Sequence, residues 1–294
     1  MCKRDAGDEE IAELEKANVP LRVIIEELAE PFAEHFKKFL SQKYPGRDLS
    51  KTYASEDDFN FAAAMFRAMQ AEHDVDLYED PVTGGPDFLC KGPLPFGESQ
   101  FLLEATHLSR ESVSKNSGLP DGPLDKVQFY KLVTTQIRTK ATTKAGQLAK
   151  HPFPSVLAIG SFHEYAEDVM GVDCAENLLI TPKITIDGSQ PLLESYTKED
   201  LEDKVFFCKS ASGGIEACRR SISAVILVAC RRNCCRVVGV LHPDPAKPFD
   251  YNLLPNVPFV RFKHWPPRED PPAVEWVVGN PDPKEYPYPP EITR

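Results

Sequence analysis

The 294-residue chain has no apolar run long enough to cross a bilayer: the longest, AVILVAC at 224–230, falls far short of the roughly 20 residues a spanning helix needs. Its acidic, polar N-terminus lacks the apolar core of a secretory signal, so the expected location is the cytoplasm. Glycine is scarce beside proline, 16 against 27, which implies many stiff connections. The eight cysteines do not form the separated CxxC pairs of a structural zinc site, and several lie in or beside apolar strand-like runs. A chain of this size needs no disulfide framework, so reduced thiols are expected. Neither a GxSxG elbow nor a cysteine-protease signature is present, which removes the usual serine and cysteine hydrolase arrangements. SASGGIEACRR places a Gly pair ahead of a segment that reads as helix, but the Lys-Ser/Thr ending of a P-loop is missing, so a flexible connection is the simpler reading. No internal repeat is found.

What is present is an ordinary globular composition, 41% hydrophobic and 27% charged, in a chain long enough for one large domain or a main domain with a smaller helical piece. The net charge of −11 opposes indiscriminate attraction to phosphate backbones but hides local fields. Residues 107–150 hold eight Lys or Arg against three acids, and RRSIS with CRRNCCR adds a second basic zone. The acids gather near the N-terminus and in the Pro-rich C-terminal tail. A basic surface on an acidic protein suits nucleic-acid contact; a solvated charged helix face is the plainer alternative.

Apolar positions at Leu21, Ile24, Leu28, Phe32, Phe36 and Phe39 predict an N-terminal helical section, interrupted or restarted at Pro31. SEDDFNFAAAMFRAMQAEHD opens on a capping serine with acids in the first turn and predicts a second helix. VDLY, DFLC and QFLLEATHL then read as strands parted by turn formers, followed by a long helix through residues 123–150 and the buried strand PSVLAIGSF. NLLITPKITI, SISAVILVAC, CRVVGVLHP, PFVRFKHW and AVEWVV are further strand candidates. This order predicts an α/β protein with a mixed sheet under helical cover. Residues 1–50 read as a helical extension, 51–265 as the α/β core and 266–294 as a Pro-rich tail.

One residue is out of place in this pattern. Glu104 stands inside FLLEA, where an ionised carboxylate is costly unless a metal, a cation or a proton compensates it. Strand alternation puts Glu104 and Thr106 on one face, and a hairpin from DFLC would bring Asp87 to the same point. Two carboxylates suit a hard cation such as Mg²⁺. On the following helix, Lys144 falls within about 20° of Ile137, inside the stripe of Tyr130, Val133, Ile137, Ala141 and Leu148. An inward ammonium needs a carboxylate partner, and Glu104 is the obvious one.

PDF, a turn, an apolar strand ending in EAT, a Lys-bearing helix and a buried strand together resemble the PD-(D/E)xK superfamily of restriction-endonuclease-like phosphodiesterases, over roughly residues 56–165. The resemblance implies a restriction-endonuclease-like central mixed sheet flanked by helices, bound Mg²⁺ or Mn²⁺, and hydrolysis of a nucleic-acid phosphodiester. Asp87 and Glu104 match its two acids, with the Ala105 carbonyl as a third metal ligand. Thr106 departs from it, standing where the motif places lysine. Some members carry that lysine on the following helix, and KAGQL resembles their arrangement, which makes Lys144 the displaced cation and Gln147 its assistant, with Lys140 as second choice. The basic residues of 110–144 and 219–236 would meet the nucleic-acid backbone. His107 and His163 lie near the expected site in sequence but read as ordinary polar residues. The alternatives are an inactive member of the same fold that binds nucleic acid or protein, and a regulatory subunit using its tail for protein contacts. A protein partner or a second copy of the chain is compatible with each.

Overall fold

The computed structural model describes residues 32–46, 53, 55–78, 85–92, 99–117, 126–163, 165–180, 183–187, 190–194, 201–230, 235–268 and 272–279. In chain order the elements are α1 (Phe32–Lys43), α2 (Glu56–Gln70), β1 (Asp74–Leu77), β2 (Phe88–Lys91), β3 (Gln100–Leu108), α3 (Arg110–Ser117), α4 (Lys126–Leu148), β4 (Ser155–Ser161), α5 (Ala166–Val169) and α6 (Val172–Leu179). There follow β5 (Lys183–Asp187), β6 (Gln190–Glu194), β7 (Phe207–Lys209), β8 (Ile215–Ala217), β9 (Ala224–Cys230), β10 (Cys235–Leu241), β11 (Phe259–Phe262) and β12 (Val274–Val277).

Eight strands form one mixed sheet in the order β1-β2-β3-β4-β9-β10-β11-β12. The β3-β4 and β4-β9 pairs are parallel, as is β10-β11, while β1-β2, β2-β3, β9-β10 and β11-β12 are antiparallel. A parallel neighbour requires a crossover, and α4 supplies the one between β3 and β4. The protein is thus α/β, a large mixed sheet flanked by helices, as expected at that level. β5-β6 and β7-β8 are separate hairpins.

The period-2 alternation of the strands sends side chains into two cores. On one face Phe101 and Leu103 of β3 meet Phe61 and Phe66 of α2 and Phe36 of α1. On the other, Leu157, Ile159, Val225 and Leu227 meet Val133, Ile137 and Ala141 of α4 and Leu178 of α6. Each of the larger of these side chains, wholly buried, contributes roughly 1.5–3 kcal/mol. Gly160 of β4 sets how near α2 can come: a Cβ there would lie 2.0 Å from the Phe61 ring.

Several boundaries differ from the expectation. Within the expected N-terminal helical extension, Phe36 and Leu40 of α1 are buried in the same core as α2; residues 21–31 lie outside the described residues. Asn177, Leu178 and Leu179, expected in a strand, close α6, because Cys174, Ala175, Leu178 and Leu179 recur on one helical face. The segment after the Gly pair is no helix: Ile215–Ala217 pairs with Phe207–Lys209 across a turn in which Gly213 has φ 84°. β12 pairs with β11, so the sheet runs on past residue 265 into the span expected to be tail; residues 280–294 lie outside the description. No described helix is long and apolar enough to cross a membrane.

Candidate functional site

β2 is short, and that shapes the site. Its last pair is Phe88 with Leu103, so beyond Leu103 the outer edge of β3 has no strand partner among the described residues. Asp87 is the next residue along and comes opposite Glu104 in the same register. Phe88 and Leu103 point into the α2 core, so alternation turns Asp87 and Glu104 to the α4 side together. Asp87 Oδ2 accepts from the Ala105 N–H at 2.7 Å, a bond to the ladder where β2 has ended. In strand geometry the Ala105 carbonyl faces the same side as its N–H. The Asp87 and Glu104 side chains are both buried, at 7% and 2% exposure.

α4 supplies the charge that Glu104 needs. The Lys144 ammonium is ion-paired with Glu104 Oε1, and 26% of the Lys144 side chain remains exposed. Lys144 Nζ also donates to Gln147 Oε1 at 3.4 Å, while Gln147 Nε2 donates to the Gly85 carbonyl at 2.6 Å. Gln147 therefore ties α4 to the segment that delivers Asp87. One turn earlier, Lys140 Nζ donates to Thr106 Oγ1 at 3.3 Å. Four residues of helix rise about 6 Å and two residues of strand about 6.6 Å, so Lys144 and Lys140 match Glu104 and Thr106 in antiparallel register. The structure brings Asp87, Glu104, Ala105, Lys144 and Gln147 into one place, with Lys140 beside them.

The opposite side of β3 holds an arrangement that sequence reasoning did not anticipate. His107 Nδ1 donates to Asp58 Oδ1 at 2.7 Å, and its Nε2 stands 3.7 Å from Asp57 Oδ2. Asp58 also caps the start of α2 with Ser55, whose Oγ accepts from the Asp58 N–H at 3.1 Å. Burial alone would raise the Asp58 pKa, but the His107 and Ser55 hydrogen bonds and the Lys140 charge hold it below the usual carboxylate range. The only prior signal was the capping pattern of SEDD; the histidine lies 49 residues away.

His163 is not arranged as a base. Its Nδ1 accepts from the Tyr165 N–H at 3.2 Å, so the proton of the neutral ring sits on Nε2, which donates to Ser114 Oγ at 2.9 Å. That direction is wrong for activating a serine. Of the expected basic zones, Arg219 is used internally: it donates to Thr142 Oγ1 on α4 and to the carbonyls of Val205 and Phe207. Arg220 pairs with Asp244 and Arg138 with Asp203. Arg110 and Lys115 of α3 are exposed, and Arg231 and Arg232 lie outside the described residues.

Among the described residues no three His, Cys, Asp or Glu side chains gather as a metal-holding group. Two carboxylates with a main-chain carbonyl are nonetheless a donor set of the kind Mg²⁺ takes, since it usually keeps several waters and one or two protein carboxylates. The donor types present, carboxylate and carbonyl oxygen, are those a hard divalent cation prefers. Comparison with protein-family models, with curated proteins and with solved structures gives no match.

Proposed function

We propose that this chain is a metal-dependent nuclease with a restriction-endonuclease-like core. The observation that supports it most is the convergence of Asp87 and Glu104 on one side of the sheet, at the point where β2 stops, with the Lys144 ammonium on Glu104. Asp87, Glu104 and the Ala105 carbonyl would hold Mg²⁺ or Mn²⁺. The bound cation would supply a Lewis acid that makes a water more acidic and neutralises phosphate charge. Lys144 supplies the counter-charge of Glu104; Gln147 ties α4 to the Asp87 segment; the Ala105 N–H orients the Asp87 carboxylate. The partner would be DNA or RNA, approached by the exposed Arg110 and Lys115 of α3.

The test is cleavage of supercoiled, linear and single-stranded substrates in Mg²⁺ or Mn²⁺. Glu104→Ala is expected to lower the rate by about 10²–10³-fold or more. Activity unchanged by that substitution rejects the site. A second reading is favoured by Thr106 at the motif's lysine position and by the pairing of the Lys144 ammonium with Glu104: an inactive module of the same fold that binds nucleic acid or protein. Calorimetric titration with Mn²⁺ separates them, because the module shows no binding that depends on Asp87 and Glu104.

A further inference from the structure

Among the described side chains the thiols fall into two classes. Cys90, Cys174 and Cys230 are buried, and burial pushes the Cys90 and Cys174 thiols far up, which keeps them inert. Cys208 and Cys218 are free and half-exposed, and they meet across the small hairpin of β7 and β8. Cys208 is paired with Glu216, and the Cys218 N–H donates to the Phe206 carbonyl at 2.7 Å, which carries the ladder one pair beyond β8. Positions two apart on a strand share a face. Cys208 and Cys218 are therefore diagonal neighbours on the face that carries Glu216, and a hydrogen bond joins their side chains.

Arg219 completes the arrangement. Its Nη1 donates to Cys218 Sγ at 2.9 Å and to the carbonyls of Val205 and Phe207, and its Nε donates to Thr142 Oγ1 of α4 at 2.7 Å. Arg219 stands at φ 56°, in the left-handed region that non-glycine residues seldom adopt, and these bonds hold it there. Burial and the hydrogen bond to Cys208 outweigh the pull of the guanidinium and push the Cys218 thiol up to about 12. Cys218 keeps its proton, which leaves Cys208 as the sulfur that attacks an oxidant first.

We propose that Cys208 and Cys218 form a redox-active dithiol that hydrogen peroxide converts to a disulfide. The Cys208 sulfur attacks one peroxide oxygen; the O–O bond breaks, Cys208 becomes a sulfenic acid and a first water leaves. The Cys218 sulfur then displaces the hydroxyl from Cys208: the S–S bond forms, the S–O bond breaks, and the hydroxyl departs with the Cys218 proton as a second water. The two thiols give up two electrons, and the peroxide is reduced to two waters. Diagonal positions across a hairpin lie about 7–8 Å apart, at the upper limit of the Cα spacing a disulfide spans, about 7 Å. Closing the bond therefore draws the end of β8 toward β7, and a bond made under that constraint, half-exposed, is readily reopened by a thiol reductant. The dithiol stands independently of the nuclease reading.

The sequence makes the test direct, because trypsin cleavage after Lys204, Lys209 and Arg219 puts Cys208 and Cys218 in separate peptides, 205–209 and 210–219. The full chain is treated with a small excess of hydrogen peroxide, its remaining thiols are blocked with iodoacetamide in denaturant, and the non-reduced digest is read by mass spectrometry. The two peptides should appear joined, two hydrogens lighter than their sum, and should separate again when the oxidised protein is first treated with reduced glutathione. Cys90 and Cys174 should be alkylated as fully as without peroxide. In Cys218→Ser the sulfenic acid on Cys208 should persist and be trapped by dimedone, whereas in Cys208→Ser the Cys218 thiol should remain fully alkylated. Both thiols fully alkylated in the peroxide-treated wild type, or the two peptides joined to other cysteines rather than to each other, overturns the dithiol. Dimedone trapping of Cys218 in Cys208→Ser, with none of Cys208 in Cys218→Ser, overturns the order of attack.

Discussion

β3 and β9 flank the same strand, β4, and both are deeply buried, yet they solve burial in opposite ways. β9 is AVILVAC, with every residue buried and none charged. It is hydrogen-bonded along both edges, to β4 over Ala224–Ala229 and to β10 over Ala224–Cys230. β3 buries Glu104, Thr106 and His107, and these follow the point at which β2 stops pairing with it. Where both edges are paired and both faces covered, an apolar run is sufficient. Where one edge has no strand partner among the described residues, the strand carries polar side chains, and each is answered by a polar group from a helix: Lys144, Lys140 or Asp58. One strand is built for stability and the other tolerates a cost.

The comparison is broken most severely on the apolar side. Leu227 is wholly buried between β4, β10 and the helices of its face, so Leu227→Ala leaves a cavity and should cost about 3–4 kcal/mol in urea unfolding. A loss under about 1 kcal/mol would mean that β9 is not the rigid half of the sheet.

The polar side should respond less and with a different signature. Lys144→Met leaves the Glu104 carboxylate buried without its ammonium. A fully buried pair costs about 3–5 kcal/mol to break; with 26% of Lys144 exposed, a loss of about 2–3 kcal/mol is expected. The double variant Glu104→Gln/Lys144→Met should be more stable than Lys144→Met alone, since the charge that needed compensation is gone. Additive losses in this cycle would show that the two side chains are not coupled.

Much of this contrast was legible in residue order. QFLLEATHL fell out as β3 and Ser55 as the cap of α2 because alternation and capping are local signals. The inward lie of Lys144 followed from helical spacing. The apolar NLL was misassigned because a short apolar run fits strand and helix alike, and the deciding Cys174 and Ala175 lie upstream. The bonds of His107 to Asp58 and of Asp87 to the Ala105 N–H were invisible, since neither is periodic and each depends on how far a partner strand extends. Lys140 lay on the flank of the apolar stripe, where spacing alone does not separate a solvent-facing lysine from one that reaches the strand.

The smallest effect concerns the titratable group nearest to the apolar half. His242 follows β10 and is buried; its Nδ1 accepts from the Asp244 N–H at 3.0 Å and its Nε2 donates to the Cys218 carbonyl at 2.8 Å. Burial lowers its pKa from 6.5 to about 4, against the smaller opposing pull of the Cys218 carbonyl and Asp244. The unfolded chain therefore takes up a proton between those pH values that the folded chain refuses, and stability falls as pH drops from 6.5 toward about 4. At pH near 5 the loss should be about 2 kcal/mol at most. Gln at this position offers a donor and an acceptor but does not titrate, so His242→Gln should flatten that part of the thermal-stability profile while leaving neutral-pH stability within about 1 kcal/mol. An unchanged acid limb would mean that the half of the sheet around β9 and β10 tolerates a buried charge as β3 does, and that the contrast between the two strands lies in their edges alone.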